Sequence, residues 1–233
     1  MKRYEEYLNK IGVVLSDSQI EQFNKFYEML IEKNKVMNLT GITEYDEVVE
    51  KHFIDSLAIG AFDKIEGKII DIGTGAGFPG IPLKIAFPEI EIVLLDSLNK
   101  RIKFLDEVID ELGLEKIETI HGRAEDYAQQ LKYREEFDFC VSRAVANLST
   151  LSEYCLPFVK INGKFISYKS GEINDELVAS RRAIELLGGN IIEVNKFELP
   201  NSTGSRSAVV INKIKKTEKK YPRKAGLPAK EPI

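Results

Sequence analysis

Ten consecutive residues, Asp71-Ile72-Gly73-Thr74-Gly75-Ala76-Gly77-Phe78-Pro79-Gly80, carry the densest chemistry in this chain. They follow the apolar run KIIDIG and precede a second apolar stretch, Ile81 to Phe87. That is the strand–loop–helix setting in which a glycine-rich loop receives a ligand. Glycines let the main chain turn tightly and lie bare against a bound molecule. Asp96 closes the next apolar run, EIEIVLLD, 23 residues after Gly73. An acid at that place can accept both hydroxyls of a ribose. A dinucleotide loop would read G-x-G-x-x-G and put its third glycine at 78, where Phe78 stands. Asp71 at the strand tip would repel a pyrophosphate and attract a ligand ammonium. Loop and acid together point to a nucleoside ligand. The plainer alternative is a tight strand-to-helix turn that binds nothing.

The D-x-G-x-G-x-G pattern resembles motif I of the class I methyltransferases, which bind S-adenosylmethionine. On that likeness Asp71, Gly73, Gly75, Gly77, Phe78 and Asp96 are cofactor-binding candidates. A third strand ends at His121-Gly122-Arg123-Ala124-Glu125, where class I enzymes hold the adenine edge. Ala124 is small enough to lie against a purine, and its N–H can donate to a ring nitrogen. Glu125 either accepts from the exocyclic amine or is a first-turn acid of a helix. A fourth strand ends at Cys140-Val141-Ser142-Arg143-Ala144, where such enzymes present the acceptor. The [ND]PP[YF] motif of amino-methylating enzymes is absent, and no cysteine pair suits attack at a pyrimidine C5. Arg143 places a cationic donor beside the expected methyl site and is the catalytic candidate. Its alternative reading is a surface salt bridge.

These strand ends need elements to hold them. Ser16 and Gln19 form a capping-box signature, followed by Ile20, Phe23, Tyr27, Leu30 and Ile31 at helical spacing. That helix is expected to run to about Val36. A second should follow Thr43, with Glu44, Asp46 and Glu47 in its first turn, and a third should span His52 to about Gly60. From residue 68 strand and helix patterns alternate. Further strands are expected at IETIHG, FDFCVS and GKFISYK, and helices on SLNKRIKFLDEVIDELGL, closed by Gly113, and at 124–132, 148–160 and 175–187. Repeated β-α units imply a parallel sheet covered on both faces. The last two strands, IIEVNKFEL and SAVVINK, are joined by a turn at 201–207 and imply an antiparallel edge.

The 233 residues are 43% hydrophobic and 30% charged, the balance of a globular protein. No run approaches the ~18 apolar residues of a membrane span. The N-terminus MKRYEEYLNK lacks the apolar core of a secretory signal. Cys140 and Cys155 form no disulfide framework, and His52 and His121 build no metal site. A cytoplasmic protein without metal or membrane attachment is expected. Residues 213–233 hold eight Lys/Arg and two Glu, a net +6, so the total of −4 leaves −10 on residues 1–212. An acidic body with a basic tail suggests either an anionic partner or a tail that is merely solvated.

Longer stretches narrow the likeness: Asn38-Leu39-Thr40, Lys51-His52-Phe53-Ile54-Asp55-Ser56-Leu57, the loop through Pro82, Leu95-Asp96-Ser97-Leu98-Asn99-Lys100-Arg101, Ser142-Arg143-Ala144 and Tyr221-Pro222-Arg223-Lys224-Ala225-Gly226. Together they resemble the ribosomal RNA small subunit methyltransferase G family, also called glucose-inhibited division protein B. The resemblance implies methylation of N7 of a guanosine in bacterial 16S ribosomal RNA, with Gly73, Phe78, Ala124, Glu125 and Arg143 contacting the cofactor. Tyr168-Lys169-Ser170-Gly171 departs from the family's plainer Lys-Gly, which leaves the role of Lys169 open. Candidates for RNA phosphate contact are Lys100, Arg101, Arg123, Arg206, Lys219, Lys220, Arg223 and Lys224. His52 and Asp55 can share a helix face, either lining the acceptor side or pinning the N-terminal helices to the sheet. The expected fold is a class I, Rossmann-like α/β sheet of seven strands, mostly parallel with an antiparallel last strand. Its expected parts are a helical extension over 1–60, a methyltransferase domain over 61–212 and a basic tail over 213–233. Other functions open at this point are a methyltransferase of a small molecule or protein, an NAD oxidoreductase, and a non-catalytic RNA-binding protein.

Overall fold

In the computed structural model, which describes residues 1–143, 146–201 and 204–233, the strand-forming runs assemble into one seven-stranded sheet. Its strands are β1 (Lys68–Ile72), β2 (Glu91–Asp96), β3 (Ile117–His121), β4 (Phe137–Arg143), β5 (Val159–Ser170), β6 (Gly189–Glu198) and β7 (Ser205–Lys213). They lie in the order β3-β2-β1-β4-β5-β7-β6. The first five pair in parallel, and β7 runs antiparallel to β5 and β6. β1 and β2 are almost wholly buried, as strands covered by helices on both faces must be. The expected mostly parallel sheet with an antiparallel last strand is therefore present. The last two strands form the expected antiparallel edge, with β7 between β5 and β6 and β6 outermost. The strand order reverses between β1 and β4, so a crevice opens at their carboxyl ends. The glycine loop and Arg143 both emerge there.

The sheet is covered by α5 (Gly80–Ala86), α6 (Asn99–Leu112), α7 (Ala124–Tyr127), α8 (Leu148–Cys155) and α9 (Asn174–Leu186), preceded by α1 (Glu5–Lys10), α2 (Asp17–Met37), α3 (Tyr45–Val48) and α4 (Asp55–Leu57). The capping box at Ser16 and Gln19 forms as the sequence predicts. α2 buries Phe23, Phe26 and Leu30 in the same apolar core as Ile69, Ile81 and Leu94 of the sheet domain. It also donates from Gln19 to the carbonyls of Ile85 and Ala86, and from Gln22 to that of Leu112. Those carbonyls end α5 and α6 and would otherwise lack partners. The two helices expected after Thr43 are one run over 45–61, because no glycine or proline interrupts it before Gly60. Val49–Ile54 within it is π-helical, a widened turn often found at functional sites. α8 ends earlier than expected, at Cys155, where Pro157 follows within a 3-10 turn. Both cysteines are buried and unpaired.

The basic C-terminal segment is folded onto the body. Lys213 is fully buried and donates to the Leu156 carbonyl and the Thr217 hydroxyl, and burial lowers its pKa to about 8. Arg134 donates to the carbonyls of Thr217, Glu218 and Tyr221. Arg223 grips Glu153 of α8 with Nε and Nη2 (Nη2–Oε2 2.7 Å), and Glu153 is wholly shielded from solvent. The Gly226 amide donates to Glu125, and α10 (Leu227–Lys230) reaches α8 through Thr150. Arg223 is thus corrected from a phosphate contact to an internal ion pair. A carboxylate with no solvent access needs a fixed counter-charge, and this is the one it has. Lys219, Lys220 and Lys224 remain exposed. Arg223→Ala is expected to destabilise the protein by roughly 3–5 kcal/mol by leaving Glu153 buried and unpaired. Adding Glu153→Gln should recover most of that loss in urea unfolding. Equal losses in the single and double variants would contradict this role for the pair.

Candidate active site

The loop between β1 and α5 is held from both ends by acids. Gly73, Gly75 and Gly77 all have left-handed φ angles, of 71°, 63° and 98°. Asp96 at the tip of β2 accepts from the Gly75 amide (2.9 Å), the Leu98 amide (2.8 Å) and Arg101 (3.1 Å). One carboxylate thereby joins the loop, the β2 tip and the start of α6. A side chain at Gly77 would meet Ile81 at 2.6 Å and Leu105 at 2.9 Å, so that glycine serves packing. At Gly75 the only neighbour would be a loop carbonyl at 3.9 Å, which leaves its open side for a ligand.

Beside this loop lies a cavity of about 330 Å³, lined by Ile72, Gly73, Leu95, Asp96, Ser97, Arg101, Gly122, Arg123, Ala124, Glu125 and Tyr154. Four cofactor candidates from the sequence, Gly73, Asp96, Ala124 and Glu125, meet on its wall. Oε1 of Glu125 takes the Gly226 amide at 2.8 Å, and Oε2 has no hydrogen-bond partner among the described residues. Ser97 lies in the Leu95–Arg101 stretch but was given no role there, and Tyr154 had no sequence signal, since it sits in a helix with no motif. A bare loop face, a carboxylate at a strand tip, a small apolar residue and a second carboxylate are the groups a nucleoside needs.

Several expectations change here. Asp71 is fully buried and turned away from the cavity, so it is not placed to meet a ligand ammonium. Its Oδ2 accepts from the Gly80 amide (2.9 Å), bracing the far end of the loop, while Oδ1 has no hydrogen-bond partner among the described residues. Burial raises its pKa to about 7, against opposing pulls from the nearby Thr74 hydroxyl, the Gly80 amide and Arg143. Thr74 Oγ1 itself does not reach hydrogen-bond geometry. Arg101 is bound to Asp96 and not free for a phosphate. Asp96 already accepts three protein bonds, so any ribose contact shares that carboxylate. The Phe78 ring lies outside the nucleoside cavity, among Phe26, Phe53 and His52. Lys100 and Arg123 are exposed.

A second cavity, also about 330 Å³, opens on the other side of the crevice, lined by Ile42, Lys51, His52, Asp55, Arg143, Tyr168, Lys169, Ser170 and Arg206. Arg143 donates to Asp55 Oδ2 (2.9 Å) and to the Lys51 carbonyl (3.2 Å), and its guanidinium lies 5.0 Å over the Phe78 ring. The ion pair is secluded, with side chains 13% and 7% exposed. Arg143 is therefore no surface salt bridge. Arg206, expected on phosphate, lies 3.5 Å from the other Asp55 oxygen. His52 does not bond Asp55. Its Nε2 pairs with the Thr40 hydroxyl at 2.8 Å and its ring stacks on Phe78. Burial first, then the Arg143 charge, lowers its pKa to about 4. Lys169 is bound to Glu176 and the Ala146 carbonyl. Tyr168 and Lys51 also line this cavity; both fall within longer stretches of sequence in which neither was given a role. Ala144, the last residue of the Ser142-Arg143-Ala144 motif, lies outside the described residues, as do Ser202 and Thr203 of the expected 201–207 turn.

The two shifted groups make opposite contributions to stability. Asp71 is harder to ionise folded than unfolded, so its contribution is full below about pH 4 and is lost as pH rises toward 7. His52 is harder to protonate folded, so its contribution is present above about pH 6.5 and is lost as pH falls toward 4. Between these limits they offset. Relative to the parent protein, Asp71→Asn is expected to gain stability with rising pH, and His52→Gln with falling pH, each by at most about 1.4 kcal/mol per pH unit. Urea unfolding from pH 4.5 to 7.5 reads both slopes. Parallel pH profiles for the parent and either variant would contradict the assignment of that group.

Known proteins bear out the reading of the fold and show the family. Solved structures with the same fold include M. jannaschii TYW2 in complex with AdoMet (13% identity, TM-score 0.56, 75% of this chain and 80% of that one) and P. horikoshii TYW2 in complex with MeSAdo (11%, 0.55, 69% and 62%). At those identities the likeness is one of fold. Sequence relatives are much nearer. The ribosomal RNA small subunit methyltransferase G of Clostridium tetani is 52% identical over 97% of this chain and 95% of its own length. That of Brevibacillus brevis is 49% identical over 100% and 98%. The family model described as rRNA small subunit methyltransferase G matches residues 19–204. With that match and relatives near 50% identity along the whole chain, this protein belongs to the rRNA small subunit methyltransferase G family.

Proposed function

We propose that this chain transfers a methyl group from S-adenosylmethionine to N7 of a guanosine in 16S ribosomal RNA, with the nucleoside cavity holding the cofactor and the Arg143 cavity receiving the base. The observation that carries the reading is the state of the second cavity. Among the described residues lining it, the acid–base candidates are engaged elsewhere. Tyr168 donates to the Ser56 carbonyl, and Lys51 pairs with Glu47. Asp55 is paired with Arg143 and near Arg206, His52 is a poor base with a pKa near 4, and Lys169 is bound to Glu176. Guanine N7 suits such a site, because its in-plane lone pair carries no proton to remove. When bound, S-adenosylmethionine supplies an electrophilic sulfonium methyl. The chain's contribution is alignment of the reactants, which can supply a large share of the barrier reduction.

The residues divide the task. Asp96 and Glu125 offer acceptors to ribose and adenine, and Ala124 offers a small surface to the purine. Gly75 leaves its side open. Arg143, fixed by Asp55 and the Lys51 carbonyl over Phe78, offers a guanidinium to guanine O6 and leaves N7 unbonded. N7 lies on the major-groove edge, hidden in an A-form duplex, so a looped or extruded guanosine is the fitting substrate. Of the phosphate-contact candidates, Lys100, Arg123, Lys219, Lys220 and Lys224 are exposed, Lys220 in a surface pair with Glu218, while Arg101, Arg206 and Arg223 have internal partners. The acidic body makes these few cations the means of holding RNA, and binding should weaken with salt.

Labelled-methyl transfer to 16S RNA and to small ribosomal subunits, against bulk protein as control, tests the reading. The product should be N7-methylguanosine at one position. Arg143→Ala should lose about 100-fold or more in rate, and also fold less stably because Asp55 is left unpaired. Adding Asp55→Asn should restore stability but not rate. Recovery of both would mean that Arg143 only anchors the helical run, and methyl transfer to protein instead of RNA would overturn the substrate.

A further inference from the structure

The C-terminal segment touches the cofactor cavity at one point, and that point is a specificity group. The Gly226 amide donates to Oε1 of Glu125 at 2.8 Å, leaving Oε2 without a hydrogen-bond partner among the described residues, on a carboxylate at the cavity wall. What holds Gly226 there is Arg223, three residues earlier. Its main-chain amide donates to Glu153 Oε1 (2.7 Å), its side chain clasps both Glu153 oxygens, and its Nη2 also reaches the Glu231 carbonyl (2.8 Å). Glu153 is completely buried in α8 and precedes Tyr154, another wall residue. Gly226 has φ +83°, a turn that aims its amide and that residues with side chains adopt with strain. The basic segment is therefore tied to both sides of the adenine end of the cavity.

We infer that residues 223–226 are positioning residues of the cofactor site: the Arg223–Glu153 clasp holds the Gly226 amide on Glu125 and so orients the carboxylate that selects a 6-amino purine. The inference rests on the reading that Glu125 faces the adenine. A carboxylate accepts from a 6-amino group but repels a 6-oxo group. The hydrogen bond from Gly226 fixes which oxygen is presented, and a side chain locked in place discriminates better than one free to rotate. The same coupling must act in reverse, so an adenosyl ligand bound at Glu125 should tighten the Gly226 bond.

The test compares S-adenosylhomocysteine with S-inosylhomocysteine by calorimetry on three full-length proteins: the parent, Glu125→Gln, and the Arg223→Gln/Glu153→Gln double variant, which removes the charges together. The parent should prefer the adenosyl ligand by about 10- to 100-fold. Glu125→Gln should lose most of that preference, which establishes the base contact independently. The double variant should lose about 5- to 20-fold in adenosyl affinity, with little change for the inosyl ligand. Equal loss for both ligands would indicate general loosening and overturn the inference. So would parent-like selectivity in the double variant. No loss of preference in Glu125→Gln would overturn the reading of Glu125 itself and the inference with it. Amide hydrogen exchange on the parent protein gives a second measurement that needs no variant. Exchange at Gly226 should slow with S-adenosylhomocysteine and not with equally saturating S-inosylhomocysteine, and unchanged exchange with both contradicts the coupling.

Discussion

The secluded Arg143–Asp55 ion pair sets the geometry of the second cavity, the proposed acceptor side. Arg143 ends β4, at the reversal of strand order, and Asp55 belongs to the helical run over 45–61. The widened π-helical turn before Asp55 leaves the Lys51 carbonyl available to Arg143. Desolvation offsets much of the attraction in such a pair, so its value lies more in fixing positions than in net stability. It brings His52 and Phe78 into one stack under the guanidinium and forms the wall of the second cavity. The N-terminal helices are thus joined to the sheet domain at this cavity, through a shared apolar core and a shared charge.

The cofactor side follows a related principle. Buried or nearly buried acids, Asp71, Asp96, Glu125 and Glu153, each accept from main-chain amides, from an arginine or from both. Asp71 and Asp96 hold opposite ends of one glycine loop. Glu125 and Glu153 hold the C-terminal segment. The chain uses carboxylates as fixed acceptors for its own backbone, and the cavity is what they leave between them. Reactivity then depends on where groups are held, since none of the described residues around the second cavity is poised to move a proton.

Much of this was legible in the sequence. Strand–helix alternation gave the sheet, and Gly73, Asp96, Ala124 and Glu125 could be placed at strand ends because a parallel sheet puts all its carboxyl ends on one side. Other features were not legible, for physical reasons. The direction of Asp71 depends on strand pleat and on Gly80, nine residues away. The fate of Arg223 depends on a buried acid 70 residues earlier in the chain, and a charge count cannot tell a cation facing solvent from one facing such an acid. The same holds for Arg101 and Arg206, whose partners are Asp96 and Asp55. Tyr154 carries no motif and reaches the cavity only because α8 packs beside β4. The fusion of two expected helices into one run, with its π-helical turn, is a matter of tertiary packing around Arg143.

The central claim is that the acceptor site works by alignment without a general base. The most direct measurement is the pH dependence of the single-turnover methyl-transfer rate, taken from a preformed complex of protein, labelled S-adenosylmethionine and 16S RNA across about pH 5.5 to 9. A rate independent of pH over that range is the predicted result, because guanine N7 has no proton to lose and His52 stays neutral throughout. A rate that climbs tenfold per pH unit to a plateau would reveal an essential base and contradict the account.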